Sequence, residues 1–181
     1  IDMEMLEQFR ADVSIRVGDL SGLARPVLNV DTQFHLGPDG IRIDTARAEN
    51  ERGGVSSLTG ELVENANGTP AVSIRVDGAD LVLGIPKAPS EDITTLPSYT
   101  VKLRLKGTGQ TTRELAASLD GYVNVTMGEG KVLNAGLDRI TNSFLQELSS
   151  ALNPFQEAQE STDINCAAAF SAINEGQLTG K

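Results

Sequence analysis

Apolar and polar residues alternate along most of this chain. In the segment FRADVSIRV, residues 9–17, every second residue is apolar, and Arg, Asp and Ser stand between them. Because successive side chains of a β-strand point to opposite sides, this pattern predicts a strand with one apolar and one polar face. The same alternation returns in VLNVDTQFHL, IRIDTARAE, AVSIRVDGADLVL and YTVKLRLKG. Its repetition predicts an antiparallel sheet with one dry and one solvated face.

Turn signals and two helical patterns complete the predicted elements. GPDG, NANGTP and NEG are typical of turns because Pro fixes φ and Gly accepts positive φ. TTRELAASLDG predicts a short helix, with Thr111 and Glu114 at capping-box spacing. Residues 134–152 predict a longer helix, because apolar residues recur there at spacings of three and four until Pro154. The segment 84–98 holds three prolines and is predicted to be a surface loop.

The expected fold is therefore mainly β, with roughly eight to ten strands joined as consecutive hairpins. We predict a single domain, residues 1–181, built on a curved and twisted antiparallel sheet that forms a groove like a half-barrel. One short and one longer helix are expected to pack on this sheet, and the longer helix would lie over its apolar face or over one end.

Composition narrows the classes of partner. The formal net charge is −10, which disfavours nucleic acid and charge-driven binding to anionic lipid surfaces. Aromatic residues make up only 4% of the chain, so the apolar surface is mostly Leu, Ile, Val and Ala. No apolar run approaches the ~18 to 20 residues that span a bilayer. The chain begins without Met, so we expect it to be a piece of a longer protein, with any membrane anchor upstream.

No pattern of catalytic or metal-binding residues stands out. His35 lies on the polar side of its predicted strand, away from Cys and clustered acids, and is expected to be solvated. The single cysteine, Cys166, occupies an inward strand position and is expected to be a buried, inert thiol. The segment GGVSSLTG lacks the serine-hydrolase motif. We therefore predict a protein that is not an enzyme, with no catalytic residues, no cofactor and no metal.

A resemblance to a known family begins at YTVKLRLKGTGQTTRELAASLDGYVNVTMGEGKV. An alternating strand there leads into G-x-G, a short helix, and a strand pair of the x-V-x-V-x-x-G-x-G-x-V kind. The residues that carry this pattern are Val101, Leu103, Leu105, Gly107, Gly109, residues 114–121, Val123, Val125, Gly128 and Gly130. The later residues Thr162, Cys166, Phe170 and Gly176 match as well. Over most of residues 50–180, the chain resembles the C-terminal region of the AsmA family of Gram-negative envelope proteins.

The resemblance implies a fold, a place and a role. AsmA-like proteins carry an N-terminal membrane anchor and a long periplasmic β-sheet, folded like a taco around an apolar groove. The groove is thought to carry phospholipid between the inner and outer membranes, and no catalytic centre is known. The chain would then be a non-catalytic lipid conduit in the periplasm, tethered to the inner membrane through an absent upstream anchor. Phospholipid acyl chains, and other envelope proteins, would be its partners.

The apolar side of the sheet is the expected lining of this groove, because branched aliphatic side chains make no hydrogen-bond demands. The predicted lining residues are Val13, Ile15, Val17, Val30, Phe34, Ile41, Ile43, Val72, Ile74, Val101, Leu103, Leu105, Val123 and Val125. A one-residue slip in register would move any of them to the other face.

Three alternatives to a lipid groove stay open. The same residues could form the filled core of a sandwich or half-barrel closed by the helix at 134–152. The chain could also be an assembly module that binds another envelope protein by strand addition at a sheet edge. An enzyme with an unrecognised site would need a pocket with perturbed titratable groups.

Overall fold

A computed structural model of the chain describes residues 10–20, 26–82, 96–133 and 161–180. The described part is mainly β, as the sequence predicts. The elements are β1 (Ala11–Leu20), β2 (Val27–Gly37), β3 (Gly40–Glu49), β4 (Val55–Glu64), β5 (Pro70–Leu81), β6 (Tyr99–Thr108), α1 (Thr112–Ala117), β7 (Asp120–Met127), β8 (Gly130–Leu133), β9 (Ser161–Ile164), β10 (Ala167–Asn174) and β11 (Gln177–Gly180).

Nine of these strands form one open antiparallel sheet in the order β1-β2-β3-β4-β5-β6-β7-β10-β11. Each strand from β1 to β6 pairs with the next one along the chain, as expected for consecutive hairpins, and β7 then pairs with β10. Within the described residues β1 and β11 are the two outer strands, so the sheet is not closed into a barrel. The expected mainly β, antiparallel fold is confirmed.

Strands β8 and β9 form a separate two-stranded ladder that keeps the register of β7 and β10. Met127 pairs with Ala167, and three residues further along each strand Gly130 pairs with Ile164. Strands β7 and β8 on one side, and β9 and β10 on the other, therefore form one antiparallel pair, which we call the hairpin arm. It is interrupted at residues 128–129 and 165–166.

The predicted turns lie where the sequence places them. Pro38 and Asp39 connect β2 to β3, and Gly40 then has a φ of +126°. The turns at residues 65–69 and 174–177 contain Gly68 and Gly176, whose φ values are +71° and +72°. The predicted longer helix at 134–152, and most of the predicted loop at 84–98, lie outside the described residues.

The short helix α1 has the predicted N-terminal cap. The hydroxyl of Thr111 accepts a hydrogen bond from the backbone N–H of Glu114 at 3.1 Å. The carboxylate of Glu114 accepts one from the N–H of Gln110 at 2.9 Å, one residue before the cap. Two N–H groups at the helix start are thus satisfied by side chains. A helix of this length is not stable alone, so packing against the sheet must supply the rest.

Three bulges interrupt the strand pairs. One lies between Leu28 and Asp31 of β2, one between Ile43 and Ala46 of β3, where it shifts the register with both β2 and β4, and one between Gly78 and Leu81 of β5. A bulge bends its strand and increases the local twist.

The predicted burial of Cys166 is wrong. The thiol is exposed, and Cys166 lies between β9 and β10 rather than within a strand. The hairpin arm is interrupted at this point, so the alternation in INCAAAF does not continue through it. Phe170 of β10 stands directly opposite Asn124 of β7.

No helix in the described part of the chain combines the length and the apolar character needed to span a membrane.

Candidate functional site: an open apolar sheet face

Cross-strand pairing decides which residues share a side of the sheet, because directly opposite residues of antiparallel strands point the same way. Between β1 and β2, Val13 faces Phe34 and Val17 faces Val30. Phe34 in turn faces Ile43 on β3. The predicted lining residues of the first three strands therefore lie on one side.

The same side of the sheet continues through β4 to β5. Ile41 of β3 faces Leu62, which faces Val72 of β5. In the next row Gly60 of β4 stands between Ile43 and Ile74. The same side thus continues without a change of face, although Gly60 contributes no side chain to it.

The pairs from β5 to β10 complete this surface. Ile74 faces Leu105 on β6, and Leu103 faces Val123 on β7. Val101 faces Val125, which faces Ala169 on β10. We call this side of the sheet the apolar face. All predicted lining residues lie on it: Val13, Ile15, Val17, Val30, Phe34, Ile41, Ile43, Val72, Ile74, Val101, Leu103, Leu105, Val123 and Val125.

The apolar face is not sealed as a protein core would be. Thirteen of these residues are half-buried and Ile15 is 46% exposed. Among the hydrophobic residues of the described part, only Val82 is buried, with 8% of its surface exposed. Core side chains of a closed sandwich are almost fully buried. The described part of the sheet therefore presents a contiguous aliphatic surface that keeps access to solvent.

Sequence reasoning missed several residues of the apolar face. Leu58 and Leu62 of β4 belong to it, and so do Tyr99 and Met127 at one end. The signal for the two leucines was present, because they flank Gly60 at even spacing in SSLTGEL.

Small side chains leave a shallow depression of about 300 Å³ on the apolar face. At its centre are the small side chains of Ala46 and Ala48 on β3 and of Ser56 on β4. Val30 of β2 borders it on one side and Val76 of β5 on the other. The complete lining is Val30, Thr32, Ala46, Arg47, Ala48, Ser56, Ser57, Leu58 and Val76. The depression is open to solvent and mostly apolar.

Helix α1 covers one end of the apolar face. Gly107 is the last apolar-face position of β6, opposite Val72. A Cβ atom there would lie 3.1 Å from Leu119 Cδ2 and 3.2 Å from the carbonyl oxygen of Leu115. The helix and the residues after it therefore occupy the space where a side chain at position 107 would stand.

The opposite side of the sheet, which we call the polar face, carries ion pairs between neighbouring strands. Arg16 Nε lies 3.2 Å from Asp31 Oδ2, and Arg42 Nε lies 3.6 Å from Glu61 Oε2. In both pairs the two residues stand directly opposite each other in the register. Opposite charges in that position favour the observed pairing.

Arg104 and Asp77 form the least exposed of these ion pairs. Nη2 of Arg104 donates to both carboxylate oxygens of Asp77, at 2.7 and 2.8 Å. Nη1 of Arg104 donates to the carbonyl oxygens of Val76 and Leu103. The guanidinium thus bridges β5 and β6 on the polar face.

His35 lies on the polar face, as its alternation predicts. Its Nδ1 is 2.5 Å from Oδ1 of Asp12, the residue directly opposite on β1. Within the described residues, no group of three His, Cys, Asp or Glu side chains is arranged to hold a metal ion. A depression of about 330 Å³ on the polar face contains Arg42 and Arg75 but also Asp44 and Glu61, so its charges balance.

Two groups have a shifted pKa. The pKa of Glu49 is lowered, first because the side-chain amide of Asn29 donates to its carboxylate at 2.8 Å, with Arg47 adding a weaker effect in the same direction. The pKa of the Tyr99 phenol is raised because burial disfavours the phenolate. Glu49 is the last residue of β3, whereas Tyr99 lies on the apolar face.

Comparisons with protein-family models, with curated proteins and with solved structures find no match to this chain.

Proposed function

We propose that this chain is a non-catalytic lipid-binding domain whose apolar face holds phospholipid acyl chains. The observation that carries the proposal is the set of aliphatic side chains that share one face over seven strands, β1 to β7, and stay half-buried. Contiguous apolar surfaces of this kind are rare on monomeric proteins unless they bind something. Aliphatic side chains would accept acyl chains of different length and unsaturation.

The energetics are sufficient for a carrier. Burial of apolar surface contributes about 25 cal/mol per Å², so one acyl chain gains several kcal/mol before ordering costs. The ligand needs no hydrogen bond from the apolar face. Binding would therefore be moderate and reversible, as transport requires.

The polar face suits a protein that works in water beside membranes. Cross-strand ion pairs such as Arg16–Asp31 and Arg42–Glu61 keep this face solvated. The net charge of −10 opposes adhesion of the whole domain to anionic membrane surfaces. Lipid would then be exchanged through the apolar face rather than by adsorption of the polar face.

The resemblance to the AsmA family gives this activity a setting. We extend the proposal to a domain that supports phospholipid transport between inner and outer membrane, and with it outer-membrane homeostasis. The domain would lie in the periplasm, tethered to the inner membrane through an upstream anchor. The support for this step is the order and spacing of the residues quoted from 101 to 130.

A second candidate function is supported by the edge of β10. Residues 167–170 pair with β7, whereas β11 pairs with β10 only from Ser171 onwards. Within the described part of the chain, the outer edge of residues 167–170 therefore has no strand partner. An extended segment of another envelope protein could add there, which would make the domain an assembly module.

Lipid retention tests the first function against the second. The purified chain is incubated with phosphatidylglycerol vesicles, separated from them by gel filtration, and analysed by native mass spectrometry. We expect a complex with phospholipid. Leu103→Asp should lower the retained lipid at least tenfold, because a carboxylate would have to be buried under the acyl chain.

Lys102→Asp is the matched control. Lys102 is the neighbour of Leu103 on β6, lies on the polar face and is exposed. The same aspartate there should leave lipid retention unchanged. If the unmodified chain retains no lipid, or if both variants lose it equally, the apolar face is not a lipid site and the β10 edge becomes the surface to examine.

A further inference from the structure

We infer that α1 is an end stop that fixes the direction of a bound acyl chain, with the methyl end against α1 and the head group at the Tyr99 end of β6. This inference rests on the proposed lipid-binding function. It adds an orientation, and an upper limit to the length of chain that the face can cover.

The stop is built into the connection between β6 and β7. The apolar-face positions of β6 run from Tyr99 through Val101, Leu103 and Leu105 to Gly107. At Gly107 the surface ends, because Leu115 and Leu119 stand over it. An acyl chain lying along β6 cannot pass this point without displacing the helix.

Hydrogen bonds hold the helix in place on the β6 side. The hydroxyl of Ser118 accepts from the N–H of Thr108 at 2.7 Å and donates to its carbonyl oxygen at 2.6 Å. The N–H of Gly109 donates to the carbonyl oxygen of Pro70 on β5 at 3.0 Å. Gly109, before α1, is thereby hydrogen-bonded to the first residue of β5, and Ser118, after α1, to the last residue of β6.

The turn between β10 and β11 supports the helix from the other side. The N–H of Gly176 donates to the carbonyl oxygen of Leu119 at 2.8 Å. A Cβ atom at Gly176 would lie 2.2 Å from the carbonyl oxygen of Ala116, so the turn is in close contact with α1. A helix fixed on two sides is a rigid wall rather than a movable flap.

The length of the open surface fits one membrane acyl chain. From Tyr99 to Leu105 there are six residue steps, which at about 3.3 Å each span about 20 Å. One leaflet of a bilayer has a hydrocarbon thickness of about 15 Å, half of about 30 Å. A chain of about 15 Å that starts beside α1 at Leu105 therefore reaches just past Val101, which places its glycerol end next to Tyr99.

Tyr99 has the properties of a residue at that boundary. It is half-buried and faces Met127, and Leu81 faces it from β5. Tyrosine combines an apolar ring with a polar hydroxyl and is favoured where hydrocarbon meets head groups. The raised pKa of the Tyr99 phenol agrees with a weakly solvated ring at this end.

Two single-tryptophan variants test the orientation, since the chain contains no Trp. Tyr99→Trp reports on the proposed head-group end. Leu105→Trp reports on the end beside α1, where the residue on the opposite strand, Gly121, has no side chain. Each variant is first compared with the unmodified chain by circular dichroism. It is then loaded with phosphatidylcholine that carries a nitroxide either near the glycerol or near the methyl end of one acyl chain.

After gel filtration, tryptophan quenching is measured in the isolated complex. We expect the nitroxide near the glycerol to quench Tyr99→Trp at least twofold more than the nitroxide near the methyl end does. Leu105→Trp should show the reverse order. The same order in both variants, the opposite order in each, or no quenching despite co-eluting lipid would overturn the orientation. If no lipid co-elutes with either variant or with the unmodified chain, the proposed function itself fails.

Discussion

Within the described residues, the aliphatic side chains of the apolar face have strand neighbours on their flanks and keep part of their surface exposed. Leu103, for example, stands between Val76 on β5 and Val123 on β7, and it remains half-buried. Complete burial of a leucine side chain contributes about 1.5–3 kcal/mol. The strand neighbours supply part of this, and the remainder, about 1 kcal/mol, stays available to a ligand. In the proposed function, one residue would thus both stabilise the sheet and contact an acyl chain.

The charged residues of the polar face specify the register of the strands more than they add to the free energy of unfolding. The side chains of Arg16 and Asp31 are 74% and 38% exposed, and such pairs contribute about 0–1 kcal/mol. Arg104 is only 25% exposed, its partner Asp77 is 41% exposed, and the two share two hydrogen bonds. A slip by one residue would move these charges onto the apolar face, which makes the observed register the favourable one.

The pH response of Glu49 depends on one hydrogen bond. Asn29→Gly removes the amide donor and keeps the positive φ of 48° at this position accessible. We expect the pKa of Glu49 to rise towards its ordinary value in this variant. It can be measured by following the side-chain carboxyl carbon of Glu49 by NMR during acid titration.

The sign of the linked stability follows from the lowered pKa of Glu49. The unfolded chain binds this proton at higher pH than the folded chain, so the contribution of Glu49 is present above its ordinary pKa. It is lost as the pH falls through the lower, folded-state pKa. An unchanged Glu49 titration in Asn29→Gly would show that the Asn29 amide is not the main cause.

At the level of the elements, glycines allow backbones to approach where side chains could not fit. Gly121, the second residue of β7, has a φ of +154°, and a Cβ atom there would lie 1.9 Å from the carbonyl oxygen of Arg104 on β6. Gly176 serves the contact between the β10–β11 turn and α1 in the same way. Both glycines belong to the end of the sheet that α1 covers.

Gly121→Ala should weaken the β6–β7 pair, because the added methyl group overlaps the backbone of β6 and the residue keeps an unfavourable φ. We expect the free energy of unfolding to fall by at least about 2 kcal/mol, measured by urea denaturation. Gly18→Ala is the control, since no atom lies within 4 Å of a Cβ at this position on β1. It should leave the stability unchanged or raise it by up to about 1 kcal/mol. Equal effects of the two substitutions would contradict the close approach at Gly121.

Alternation predicts the strands and their faces wherever it is unbroken. Val101, Leu103 and Leu105 could be placed correctly from the sequence, because β6 has no bulge between them. Alternation fails to predict the faces where a strand is interrupted or bulged, because the position of such a break depends on the partner strand. Leu58 and Leu62 keep the even spacing, but Gly60 between them weakens the apolar pattern because it has no side chain. Cys166 lies outside a strand because the hairpin arm is interrupted beside it.

Across the whole molecule, the sequence predicts a one-sided sheet but cannot predict whether that side is covered. A filled core and an open groove need the same alternating aliphatic residues, such as those of β1 and β6. The half-buried state of these residues appears only when the strands are assembled. The predicted helix at 134–152, which could cover the face, lies outside the described residues.

Pairing between neighbouring strands holds together a sheet that has little closed core in its described part. In the described part of the chain every inner strand pairs on both sides, and the meander consists almost entirely of contacts between sequential neighbours. Stability then accumulates from strand pair to strand pair. Within the described residues, pairing between neighbouring strands is what fixes the register.

The central claim is that acyl chains occupy the apolar face and not the polar face, and two phenylalanines allow the most direct test. Phe34 lies half-buried on the apolar face, whereas Phe170 lies on the polar face, 45% exposed, with its ring centroid 6.1 Å from that of Tyr122. Each is replaced by Trp, and fluorescence is recorded with phosphatidylglycerol that carries brominated acyl chains. We predict that Phe34→Trp emission shifts to shorter wavelength and is quenched, while Phe170→Trp is unaffected. Equal responses at both positions, or no response at Phe34→Trp, would contradict the claim.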